Sequence, residues 1–99
     1  MTGIRHVATF TFVEGVTEEQ IANVTAGLEA LPDAIPQIDA FAFGPDAGLN
    51  DGNADYSVVA DFASIDAYLA YRDHPAHQAV LADRIRPILA ARAAVQFLR

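Results

Sequence analysis

Three side chains carry the chemistry this sequence offers: His6, Tyr71 and His77. His77 stands one turn before Leu81, on an apolar stripe that continues through Ile85 and Ile88, so a helix there turns the imidazole inward. His6 alternates with Ile4 and Ala8 along a strand-like run and shares their face. Tyr71 follows Tyr68 by three residues, at the edge of the inward stripe of the preceding helix. The pair His74-Pro75 interrupts the helix between them, because proline disfavours helical geometry at the residue before it. A broken helix leaves room for a pocket. In an apolar pocket desolvation keeps imidazole unprotonated near neutral pH, which suits a general base. A tyrosine hydroxyl beside it can donate to a carbonyl and stabilise an enolate. The pairing fits proton abstraction next to a carbonyl; the competing explanation is a hydrogen-bonded core histidine and a tyrosine that anchors a helix end.

Other residues point to ordinary structure. His74, immediately before a helix-starting proline, is placed to cap a free amide. His74 and His77 at i, i+3 make two metal ligands at most, so no metal site is expected. Asp46, Asn50, Asp51, Asn53 and Asp55 have the composition of a calcium loop without its spacing, and read as a solvated turn. Arg84, Arg86 and Arg92 cluster late in the chain, placed to complement a helix C-terminus or pair with acids, with anion binding as the weaker alternative.

The elements that position these groups follow from periodicity. Residues 4–13 form a strand with Ile4, His6, Ala8, Phe10 and Phe12 on one face, and Arg5, Val7, Thr9, Thr11 and Val13 on the other. Thr17-Glu18-Glu19-Gln20 is a capping box, and Ile21, Val24, Leu28 and Leu31 line the helix it starts. Strands are expected over 37–44 and 55–62, the latter with Tyr56, Val58, Ala60 and Phe62 on one side. Ser64 caps a short helix whose inner face carries Ile65, Tyr68 and Leu69. After Pro75 a second helix runs to about Ala91, kinked at Pro87, and 92–98 form the last strand with Val95 and Phe97 together. The order β-α-β-β-α-β is the ferredoxin-like split β-α-β of an α+β domain, with both helices on one face of a four-stranded antiparallel sheet. His6, Phe10, Tyr56 and Val58 are expected to face the helices and, with Leu81, to line the pocket beneath Tyr71 and His77. The opposite face would show Val7, Val13, Val59, Phe41 and Phe43, more apolar surface than a monomer leaves open, which predicts a homodimer formed sheet to sheet.

Composition bounds the rest. Ninety-nine residues, 53% of them hydrophobic, make one domain over residues 1–99. The net charge is −7 and all six cations are arginines, so nucleic acid and anionic membranes are poor partners. Cysteine is absent, which removes disulfides and thiol chemistry. With no charged-then-apolar leader and no apolar run of the roughly 18 residues a span requires, a cytoplasmic location is expected.

Ile-Arg-His-Val at 4–7, Asp-Tyr-Ser-Val-Val at 55–59 and His-Pro-Ala-His-Gln at 74–78 resemble the stress-responsive A/B barrel (Dabb) family over nearly the whole chain. The resemblance implies a dimeric α+β barrel built from two ferredoxin-like sheets, and no cofactor. One member type, the plant olivetolic acid cyclase, closes a linear tetraketide by intramolecular aldol condensation. Its tyrosine and histidine pair corresponds here to Tyr71 and His77, and a strand histidine of its pocket to His6. On the third strand that cyclase has a pocket histidine where this chain has Val58, which makes the pocket more apolar and puts the same substrate in doubt. The reading is therefore a homodimer with an apolar pocket for a small apolar or aromatic ligand, open to cofactor-free proton abstraction or aldol cyclisation of a polyketide-like carbonyl compound. The alternatives are a non-catalytic stress-response or ligand-binding dimer, and a cofactor-independent monooxygenase, a group whose sites often use the tryptophan missing here.

Overall fold

The computed structural model describes residues 3–99; the first two residues of the expected domain lie outside the described part. Strand β1 (Ile4–Phe12) is followed by α1 (Glu18–Glu29), a short α2 (Leu31–Ala34), β2 (Ala40–Pro45) and β3 (Tyr56–Phe62). Then come α3 (Ile65–Asp73), α4 (Pro75–Val80), a π-helical turn at Leu81–Ile85, a 3-10 turn at Arg86–Ile88 and β4 (Leu89–Leu98). The four strands form one antiparallel sheet in the order β2-β3-β1-β4, the ferredoxin-like arrangement, with β1 and β3 central.

Local chemistry sets the helix starts. Thr17 Oγ1 accepts from the Gln20 amide and Gln20 Oε1 accepts from the Thr17 amide, closing the capping box. Ser64 caps α3 through the Ala67 amide, and His74 Nδ1 caps α4 by accepting from the Ala76 amide at 3.0 Å. Pro32 does not end the helical region, because a proline in a first turn has no amide bond to lose, and α2 begins around it.

The core lies between the sheet and the helices. Ile4, Ala8, Phe10, Phe12, Tyr56, Val58, Ala60 and Phe62 supply the sheet side; Val24, Leu28, Leu31, Tyr71, Val80, Ile85 and Ile88 supply the helical side. The expected β1 and β3 faces are therefore the observed ones.

Five expectations change. Phe41 and Phe43 pair with Ala60 and Val58, so they face the helices rather than the open side. Alternation alone assigns residues to two sides without saying which is inward; the register with β3 decides it. Ile65, at the first turn of α3, is exposed, because Tyr68 and Tyr71 set the inward phase of that helix, and Tyr71 is fully buried rather than at its edge. The last helix stops at Ile88 and β4 starts at Leu89, three residues early. Nine residues of β4 pair with β1, and that ladder overrides the helical preference of the alanines at 90, 91, 93 and 94. β2 likewise starts at Ala40 rather than at residue 37.

The sheet's open face carries Val7, Val59, Val95 and Phe97, the last two about half exposed. A polar cluster sits at the end of the central strands, where Arg5 Nε and Nη2 donate to the two oxygens of Asp61 and Arg99 stands 3.6 Å away. Among the described residues no helix is long and apolar enough to cross a membrane.

Candidate active site

A cavity of about 120 Å³ opens between β1, β3 and the helices, just where α3 gives way to α4. His6, Phe10, Val58, Tyr71, His77 and Leu81 all line it. Tyr56 does not: its hydroxyl is 2.6 Å from Thr25 Oγ1 and its ring packs on Phe12, tying α1 to β3 outside the cavity wall. The π-helical turn keeps Leu81 and Ile85 both on the cavity side, and its wide Arg86-to-Leu81 backbone bond absorbs the end of the helix before Pro87.

His77 and Tyr71 are in direct contact, with ring centroids 4.2 Å apart. The break at His74 brings them together: Tyr71 ends one helix, and His77 enters from the first turn of the next. Phe62 at 5.0 Å, His6 at 6.1 Å and Phe41 at 6.4 Å surround the Tyr71 ring and fix its position. Among the described residues no side-chain hydrogen bond engages the Tyr71 hydroxyl, yet no buried polar side-chain atom lacks a partner. The hydroxyl therefore borders open space, which here is the cavity.

Hydrogen bonds define both histidine tautomers. His77 Nδ1 lies 3.0 Å from the Arg72 carbonyl oxygen, which can only accept, so Nδ1 carries the proton and Nε2 keeps a lone pair. Gln96 Nε2 can only donate, and at 2.9 Å it donates to His6 Nδ1, so the proton of neutral His6 sits on Nε2. One imidazole thus offers an acceptor and the other a donor. Burial pushes His77 below its ordinary value, with the Arg92 charge acting in the same direction and the bond to Arg72 opposing it. Burial also brings His6 down to about 4, with help from Arg92 and His77. The Tyr71 phenol is pushed up by burial, so it stays a donor across the physiological range.

The His6 shift has a consequence for stability. Above pH 6.5, the ordinary histidine value, the ring is neutral whether the chain is folded or not. Between there and about 4 the unfolded chain takes up a proton that the folded chain refuses, so stability falls as pH falls; below about 4 the loss is complete. Allowing for water in the cavity, the loss is on the order of 2–3 kcal/mol. Urea unfolding near neutral pH and near pH 4 should show this slope in the wild type, reduced by that amount in His6→Gln.

One contributor, Gln96, was not singled out in the sequence, and Arg92 was singled out there without being placed at the cavity. Gln96 is paired with His6 across β1 and β4, and Arg92 with Phe10, so both stand on the cavity side. Assigning 92–98 to a strand and continuing its alternation into β1 register would have found them. Among the described residues no three His, Asp or Glu side chains come together as a metal-binding group. Asp46 instead accepts from the Gly48 amide and from Asn53 within its turn.

A ferredoxin-like sheet with a histidine-lined cavity under a broken helix places the chain among α+β proteins of this architecture. The chain belongs to the Stress responsive A/B Barrel Domain (Dabb) family, whose sequence model matches residues 4–98. It is 30% identical over 76 residues to the stress-response A/B barrel domain-containing protein HS1 of Arabidopsis thaliana, covering 75% of this chain and 70% of that protein. A dimeric ferredoxin-like protein of unknown function from Thermobifida fusca superposes with a TM-score of 0.92 at 49% identity, over 99% of this chain and 92% of that one. The hydroxynitrile lyase of Passiflora edulis shares the fold, with a TM-score of 0.85 at 16% identity over 99% and 94% of the two chains.

Proposed function

We propose that this chain is a homodimeric, cofactor-free enzyme that abstracts a proton next to a carbonyl, and that the enolate so formed closes a ring in a polyketide-like substrate. The observation that carries this reading is the unprotonated Nε2 of His77 at a cavity wall that it shares with the Tyr71 hydroxyl. His77 takes the proton from the carbon and becomes imidazolium. The electron pair moves onto the carbonyl oxygen, where the Tyr71 hydroxyl and the His6 Nε2–H donate to it. The enolate carbon then attacks a second carbonyl of the same molecule, and the new alkoxide recovers the proton from His77. Atoms and charge balance without an added reactant.

A non-catalytic dimer predicts the same side chains packed solid or bonded to backbone, with no cavity; His77 is bonded to the Arg72 carbonyl through Nδ1, while the cavity beside it favours the enzyme. Val58 keeps the third-strand wall apolar, in keeping with an aromatic or extended hydrocarbon substrate. For the dimer, the support is the half-exposed Val95 and Phe97 beside Val7 and Val59, together with the dimeric state of the Thermobifida fusca relative. The fold is also one that carries a lyase, in Passiflora edulis.

The test is exchange of the acetophenone methyl protons in heavy water followed by NMR, with mass spectrometry of a linear poly-β-ketone for ring closure. Exchange above the buffer rate, reduced about tenfold or more in Tyr71→Phe, is expected from the loss of one donor. Wild-type protein that exchanges no faster than buffer and closes no ring contradicts the proposal.

A further inference from the structure

Arg92 is the cation of this site without a protein counter-charge. Of the six arginines, Arg5 and Arg99 lie against Asp61 and Arg72 against Asp73, while Arg84 Nη1 donates to the Asn23 carbonyl and side chain. Arg86 lies in the 3-10 turn, outside the cavity. Arg92 is exposed, forms no salt bridge among the described residues, and lines the cavity beside Phe10. No Asp or Glu contributes to that wall, although the chain carries a net charge of −7. Arg72 also lines the cavity but is paired with Asp73, so Arg92 is the guanidinium there left without a counter-charge, an electrostatic arrangement for drawing in an anion.

We propose that Arg92 makes this cavity selective for a carboxylate-bearing carbonyl compound, gripping the carboxylate at the mouth while the carbonyl reaches Tyr71, His77 and His6. The inference rests on the cavity being a substrate site and adds the substrate's charge. Arg92 stands four residues along β4 from Gln96, the partner of His6, which is about 13 Å of strand. Part of that span is bridged by the arginine side chain. The remainder requires a substrate whose carboxylate is several atoms from the reacting carbonyl, that is, an extended or aromatic keto acid rather than a compact one. The electrostatics agree, since the Arg92 charge reaches His6, His77 and Tyr71 and lowers the proton affinity of each.

The experiment pairs para-acetylbenzoate with the isosteric neutral para-acetylbenzamide, titrated into wild type, Arg92→Gln and Arg92→Lys and followed by backbone NMR. The benzoate should bind wild type about tenfold more tightly than the amide, the scale of one charge-assisted hydrogen bond. Its shifts should map to residues around His6, Tyr71 and Arg92. Arg92→Gln should erase the preference and Arg92→Lys should keep part of it. Equal affinities, a preference that survives Arg92→Gln, shifts that map away from the cavity, or no binding of either compound would overturn the proposal. Ketone exchange on the same samples separates the two claims. His77-dependent exchange without anion preference discards Arg92 and keeps the base, whereas anion preference without exchange keeps Arg92 and discards the base.

Discussion

Replacing His77 by alanine should lower the rate of ketone proton exchange by on the order of 10²–10⁴-fold, the contribution of a positioned general base. His77 is buried and its ring covers Tyr71, so a loss of activity alone could reflect a loosened aromatic cluster. Chemical rescue separates the two. The truncation leaves a space the shape of the lost ring beside an existing cavity, and added imidazole should enter it and restore part of the rate. His77→Asn keeps a donor at the Nδ1 position for the Arg72 carbonyl without supplying a base, so it should fold and remain inactive. The dependence on pH follows from burial. Because the imidazolium is disfavoured, the rate should fall at a lower pH than the ordinary histidine value of 6.5 would give. An alanine variant with the wild-type rate would remove His77 from the chemistry.

A carboxylate on the open sheet face should convert the protein from dimer to monomer. Val95 is 54% exposed in the single chain, and Val7 lies directly opposite it on β1. Sheet-to-sheet association would bury both. An unpaired carboxylate buried there costs several kcal/mol, so Val95→Asp should weaken the dimer by at least about 10³-fold. Ile65 provides the control, since at 55% exposure it is as open as Val95 but lies on α3, on the other side of the molecule. Light scattering at micromolar concentration should give a monomer for Val95→Asp and the wild-type mass for Ile65→Asp. A dimer in both, or a monomeric wild type, would contradict the interface.

How much of this was legible in the sequence depended on whether the controlling interaction was local. The caps at Thr17, Ser64 and His74, and the break at Pro75, involve residues two or three apart, and they fall where spacing put them. The inward faces of β1 and β3 were readable because their apolar sides are unambiguous. β2 was not: Ala40, Ala42, Phe41 and Phe43 are apolar on both sides, and only pairing with Ala60 and Val58 turns the phenylalanines inward. The alanine-rich start of β4 reads as helix until β1 is available to pair with it. The same register hid Gln96 and the cavity-side position of Arg92, which was visible in the sequence only as one of three late arginines. His6, Tyr71 and His77 were visible as inward-facing polar groups, whereas the tautomers that divide them into acceptor and donors depend on Arg72 and Gln96. Tyr56 had the same inward signature as His6, and its bond to Thr25 on α1 makes it a tie between layers.

The most direct test is nitrogen NMR of the imidazole rings across a pH titration. The chemistry requires one neutral imidazole with a free Nε2 at the cavity wall and one that donates from Nε2. At neutral pH His77 should be the Nδ1–H tautomer with a lone pair on Nε2, and His6 the Nε2–H tautomer, with His77 protonating below the ordinary histidine value of 6.5 and His6 only at about 4. A His77 ring that is protonated on Nε2 at neutral pH, as the other tautomer or as imidazolium, could not accept the substrate's proton and would contradict the account.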